Sequence, residues 1–144
     1  MRFNIILSTA LLLTACASET PDETPPDGKG DAIKSACPVY DSRDWSAWID
    51  TEPPGPSRLH IIGKVDLPTP GYITSWRMGI ADRAMPPGQH VHLEFTPPDG
   101  IVTQVITTQE VSYEGEAAHQ AYRVIYVHCS DETLAEIVNV PIAG

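Results

Sequence analysis

The sequence predicts an all-β fold, a single sandwich of about seven strands over residues 33–144, on three observations. Apolar side chains recur at every second position through most of this stretch. Clusters of proline, glycine and aspartate interrupt them at nearly even intervals. No segment of helical length carries an apolar stripe of period 3.6. The composition agrees: 14 prolines and 10 glycines in 144 residues, 42% apolar and 19% charged, suit a loop-rich globular chain and exclude collagen, coiled coil and wholesale disorder.

Taken in order, a first strand fits Trp45 to Asp50, with Trp45, Ala47 and Ile49 on one face. The second, Arg58 to Leu67, turns Leu59, Ile61, Val65 and Leu67 inward and His60, Lys64 and Asp66 outward, and stops at Pro68-Thr69-Pro70-Gly71. Tyr72 to Ile80 follows, with Trp76 and Met78 inward, until Met85-Pro86-Pro87-Gly88 breaks it. In Gln89 to Thr96 the alternation puts Val91, Leu93 and Phe95 in the core and His90, His92 and Glu94 on the other face. After the turn Pro97-Pro98-Asp99-Gly100, the β-branched run Ile101 to Val111 reads as one long, bent strand, and Ser112 to Gln120 as the longest hairpin loop. Ala121 to Cys129 and Leu134 to Ile142 complete the seven, with one short helical turn possible at Asp131 to Glu136.

The chain opens differently. Arg2 precedes an apolar run, Ile5 to Leu13, too short to span a bilayer. The tetrad Leu13-Thr14-Ala15-Cys16 resembles the lipobox of bacterial lipoproteins. That resemblance implies removal of residues 1–15 and acylation of Cys16, which stably anchors the chain in a membrane. Ala17 and Ser18 follow, and the resemblance associates retention in the inner membrane with an aspartate there. Its absence points to the periplasmic face of the outer membrane. Residues 17–31 contain prolines and five acids against one lysine, with no large apolar side chain. Nothing there repays the entropy of ordering, so residues 16–32 read as the lipidated cysteine and an acidic tether reaching roughly 45 Å when extended. The net charge of −10 repels phosphate backbones and excludes nucleic acid as a partner.

With Cys16 assigned to lipid, Cys37 and Cys129 form an even pair in an exported chain, and a disulfide between them is expected. The alternative, a reactive thiol, lacks a Cys-x-x-Cys or an electropositive setting. The cysteines stand too far apart for an immunoglobulin domain, and Tyr126 precedes the second by three residues rather than two, so the sandwich is immunoglobulin-like in architecture only.

Four features are candidates for function. His90 and His92, about 7 Å apart on one strand face, present two imidazoles to one metal ion. Glu94 lies too far from His90 to share that ion, so a third ligand has to come from a neighbour such as His60, His128 or Glu110. The plain reading is a solvated strand face. The loop Pro68-Thr69-Pro70-Gly71-Tyr72, followed by Trp76, resembles the Asn-Pro-Thr-Thr-Gly-aromatic loop of chagasin-type cysteine-protease inhibitors. Pro68, Thr69, Gly71 and Tyr72 match, Leu67 and Pro70 depart, and the family's companion Arg-Pro-Trp loop is missing. That resemblance implies a loop inserted into a protease cleft, and the plain reading is a proline-glycine turn. Trp45 and Trp48, three apart, cannot share a face of a regular strand; packing at the open end of the sandwich, with a bulge between them, competes with an exposed partner or glycan surface. The Ser112 to Gln120 loop is the fourth.

Enzymatic signatures are scarce. No G-x-S-x-G, H-E-x-x-H, phosphate-binding glycine loop or S-x-x-K occurs, although carboxylates such as Asp82 and Glu94 are free to meet in space. The expectation is a non-enzymatic binding or accessory module of the cell envelope, anchored by lipid, without a further cofactor, and taking an envelope protein or polymer as partner. A protease-inhibitor lipoprotein and a metal-binding protein are the alternatives.

Overall fold

The computed structural model describes residues 36–52 and 55–144. The predicted leader (1–15), the lipidated Cys16 and the acidic tether therefore lie outside the described residues. Those described are all-β, without a helix: β1 (Asp41–Asp50), β2 (Arg58–Leu67), β3 (Ile73–Ala81), β4 (Gly88–Thr96), β5 (Thr107–Glu116), β6 (Val124–Cys129), β7 (Glu132–Ile137) and β8 (Ile142–Ala143). They form two four-stranded sheets, β5-β2-β1-β8 and β3-β4-β6-β7. Pairing is antiparallel except for β1 with β8 and β4 with β6.

The core fills the space between the sheets as the period of two requires. Ile49, Leu59, Ile61, Val65 and Leu67 from the first sheet meet Val91, Leu93, Ile125 and Val127 from the second, all essentially without solvent exposure. Each such side chain contributes roughly 1.5–3 kcal/mol by leaving water. Trp76 of β3 reaches across to Tyr113 of β5, with ring centroids 5.9 Å apart, and closes one side of the sandwich. The expected Cys37–Cys129 disulfide closes the other. It joins the segment before β1 to the end of β6, beside a hydrogen bond that the Ser42 hydroxyl donates to the Leu134 carbonyl at 3.3 Å.

Several expected elements are corrected. There are eight strands rather than seven, because the chain after β7 returns as the short β8 alongside β1. Ile101 to Ile106 is not strand: it is the connection that carries the chain from the second sheet to the first, where no neighbour offers a ladder to its β-branched residues. β5 instead runs on to Glu116, through Ser112 to Glu116, part of the expected loop, and pairs with β2 along its whole length, from Leu67↔Thr107 to Arg58↔Glu116. Its inward row is Val111, Tyr113 and Gly115, and Gly115 has no side chain to reveal the alternation because the Tyr113 hydroxyl lies over it. Asp131 to Glu136 is mostly strand, turned tightly out of β6 at Ser130, whose φ is 55°.

β1 begins four residues earlier than expected. Arg43 pairs with Lys64 and Ser46 with Ile62, so Asp44 and Trp45 together oppose the single residue Gly63. Asp44 takes a φ of 57°, the left-handed conformation such bulges demand, and accepts a 2.9 Å hydrogen bond from Lys64 Nζ. The irregularity thus includes Trp45 itself and does not lie between the two tryptophans. Trp45 faces the core, its ring resting on Gly63, where a Cβ would collide with it. Trp48 faces outward and stacks on His60 at 4.9 Å with the rings 3° from parallel.

Candidate functional site

The site begins with two neighbouring strands that run the same way. Because β4 and β6 are parallel and in register, His90 stands beside Tyr126 and His92 beside His128. Alternation sends Val91, Leu93, Ile125 and Val127 into the core, and the four rings onto the outer face of the second sheet, where each is half-buried. They pack on one another. Tyr126 stacks on His90 at 4.7 Å, His90 on His128 at 5.0 Å with planes 7° apart, and His92 meets His128 at 5.3 Å and 33°. The stacking brings ring nitrogens of neighbouring imidazoles close to one another.

Two of those nitrogens are joined. His90 Nδ1 and His128 Nε2 lie 2.7 Å apart, and His128 Nδ1 is 3.1 Å from the Thr133 hydroxyl of β7. One imidazole must donate and the other accept, so the His90–His128 bond requires at least one of the two rings to be neutral. Burial pushes the His128 pKa below the ordinary histidine value, and the nearby His90 and His92 push it the same way. A bond to the Glu132 backbone acts in the opposite sense.

β3 makes room for the array. Met78 pairs with Val91 and Ala81 with Gln89, leaving Gly79 and Ile80 opposite His90 alone. A Cβ on Gly79 would stand 3.0 Å from both the His90 carbonyl oxygen and His92 Nε2, so the rings lie over β3 only because residue 79 has none. From the core side, the buried Gln89 donates from Nε2 to the carbonyls of Gly79 and His90, each at 2.9 Å, and so fixes the bulge.

Of the third ligands considered for His90 and His92, His128 joins them, whereas His60 and Glu110 belong to the other sheet. The 2.7 Å between His90 Nδ1 and His128 Nε2 is a hydrogen-bond distance, shorter than the roughly 3.3 Å that separates two nitrogens each about 2.0 Å from a tetrahedral zinc. Among the described residues, no three His, Cys, Asp or Glu side chains are grouped so as to hold a metal ion. Glu94 turns instead to Arg77, at 3.1 Å. Asp82 is elsewhere. It accepts from the Ala84 and Gly88 amides at 2.9 Å and from Arg123 at 2.8 Å, contacts that hold its pKa below the usual carboxylate value and organise the β3–β4 loop. Asp82 and Glu94 thus serve separate partners.

The Pro68 to Tyr72 loop crosses between the sheets. Thr69 is buried, its hydroxyl on the Pro70 carbonyl at 3.0 Å. Tyr72 packs edge-on against Phe95 at 6.3 Å, and its carbonyl accepts from Gln109 at 3.3 Å. Gly71, with φ at 92°, sits beside Pro98. Only Pro70 and Gly71 are left exposed to a partner.

Sequence reasoning singled out His90 and His92 but missed Tyr126, Gly79, Gln89 and Thr133. The glycine inside an otherwise alternating strand was the available signal. Comparison with family models, with curated proteins and with solved structures finds no match to this chain.

Proposed function

We propose that this chain is a lipid-anchored protein of the bacterial envelope, held on the periplasmic face of the outer membrane through Cys16. Its sandwich acts as a binding or accessory module rather than an enzyme, and it recognises an envelope protein or polymer with the outer face of its second sheet. The observation that carries this reading is the file Tyr126, His90, His128 and His92. A strand face whose only task is to meet water needs separate polar side chains, whereas here four rings support one another and a buried glutamine and a glycine support them. With His90 Nδ1 and both His128 nitrogens bonded within the sheet, it is the ring surfaces of the file that suit packing against a peptide or the apolar face of a hydroxyl-rich polymer.

In-cell crosslinking of the full lipoprotein with mass spectrometry tests it, using the wild type, a His90→Ala/His92→Ala variant and a Gly71→Ala/Tyr72→Ala variant. The expected result is a stoichiometric partner lost only with the histidines. A papain-like protease that is captured by the wild type and lost only with the Gly71/Tyr72 variant replaces this reading with the inhibitor one. Capture unchanged in both variants removes the histidine face from recognition.

A further inference from the structure

The bond between His90 and His128 forms in two protonation states of the pair and is forbidden in the third. With both rings neutral, one nitrogen donates and the other accepts. With one proton added, an imidazolium donates to a neutral ring and the bond persists. With two, His90 Nδ1 and His128 Nε2 both carry hydrogen, and a separation of 2.7 Å sets donor against donor on like-charged rings whose centroids are 5.0 Å apart. His92, tilted against His128 at 5.3 Å, adds to the repulsion once it too is protonated.

No carboxylate in contact with the pair offsets that second charge. His90 and His128 bond to one another, to the Thr133 hydroxyl and to the Glu132 backbone. The charged groups around them sit farther out. On β3, Arg77 stands opposite His92 and holds Glu94 of β4. At the Tyr126 end, Asp82 and Arg123 hold each other. β7 brings Glu136 opposite Tyr126 and Glu132 opposite Cys129, and the β6–β7 turn brings Asp131. These three acids are exposed, where water and salt screen them.

The backbone beneath is held independently of the rings. Gln89 fixes the Gly79 and His90 carbonyls from the core side, Val91 and Val127 are fully buried, and the disulfide ties the end of β6. The rings themselves are half-buried on the outer face, so rotation about their side-chain bonds relieves the conflict without moving a strand.

We infer that the histidine file is a pH switch for the face it forms: stacked into one surface while the His90–His128 pair holds at most one proton, and opened by the second, which swings the rings apart on a fixed backbone and releases the partner. The inference rests on the recognition proposed above and adds its regulation. Burial, which lowers the His128 pKa, puts the opening on the acid side of the ordinary histidine value, so binding is complete above that value and fails as pH falls.

The test is NMR on the full chain in detergent micelles, with isotope-labelled histidine and valine, titrated from about pH 8 to about pH 4. The expected result is a through-bond coupling between His90 Nδ1 and His128 Nε2 that is present at neutral pH and lost in acid, while the Val91 and Val127 methyl resonances keep their folded positions. The pair takes up its protons in two steps at least about one pH unit apart, and His90→Gln leaves a single step at His128. Coupling that survives the second proton, or disappears only as the valine resonances move to unfolded positions, overturns the switch. So does a His128 titration unaltered by His90→Gln. Crosslinking of the wild type at neutral and acid pH reads the consequence, with capture expected to fall several-fold where the coupling is lost. Capture that persists after the coupling is lost overturns the gating and leaves the recognition standing. Loss of the coupling with no histidine-dependent capture at any pH upholds the switch in the rings and removes the recognition.

Discussion

The outer faces of the two sheets solve the same problem in opposite ways. On the first, the outward positions carry charges that pair across strands, Arg43 with Asp66 at 2.7 Å, Lys64 with Asp44 at 2.9 Å and Arg58 with Glu114 at 2.8 Å, around the stack of Trp48 on His60. On the second, the centre holds no such pairs but rings, bonded to one another and backed by a bulge. Exposed ion pairs are weak and interchangeable, so the first face is what solubility requires. The second depends on particular partners at particular registers, which is how a surface with a specific task is built.

The comparison can be pressed hardest through what both faces share. Cys37→Ser removes a closure spanning 92 residues and is expected to cost about 4 kcal/mol, read as a fall in the urea midpoint, with both faces lost in one transition. Faces that melt separately, by histidine NMR against tryptophan fluorescence, would show that the sheets are supported independently. Smaller, and aimed at one face each, are two glycine substitutions. Gly63→Ala drives a methyl into the Trp45 ring and is expected to cost ~2–3 kcal/mol without altering the histidine resonances. Gly79→Ala presses on His92 Nε2 and the His90 backbone, costs ~1 kcal/mol, and shifts those resonances. Reversed NMR behaviour would break the assignment of the bulges to their faces.

Acid separates the histidine file from the carboxylates, by pH rather than by size. The His128 pKa is lowered on folding, so the unfolded chain binds the proton first. Stability from this group is complete above the ordinary histidine value near 6.5 and is lost as pH falls through the folded value. On the first face, Asp66 and Asp44 are lowered by hydrogen bonds from Arg43 and Lys64, so their contribution is complete above the ordinary carboxylate value and fails only as pH falls below it. Denaturation midpoints measured between pH 7 and pH 3 are expected to fall in two steps, and His128→Gln should remove the upper one alone. The smallest effect is Lys64→Ala, which leaves the urea midpoint within error; a clear fall would mean that the bulge at Asp44 depends on that ion pair.

How far these features could be read in advance depended on whether a residue's role was set by its own strand. Arg58 to Leu67 is β2 to the residue, and β4 starts one residue earlier than read, because both alternate cleanly between apolar and polar. His90 and His92 were placed on one face for the same reason. Their partnership with His128 was not determined, since it requires β4 and β6 to be neighbours and parallel, and that order is fixed by how the sheets pack. Ile101 to Ile106 misled through propensity, which favours a strand but cannot supply one with a ladder partner. β5 was misplaced because a glycine under a tyrosine hydroxyl hides the inward row.

The parallel pairing of β4 with β6 has a temporal consequence. Between these strands the chain leaves for the other sheet, lays down β5 and returns, so the stack of His90 on His128 is a contact of high sequence separation. A nascent or truncated chain that ends before residue 124 contains His90 and His92, yet has no surface on which they can act. The histidine file is thus a late product of folding, complete only when the whole topology is, and the recognition proposed for it has to wait until then.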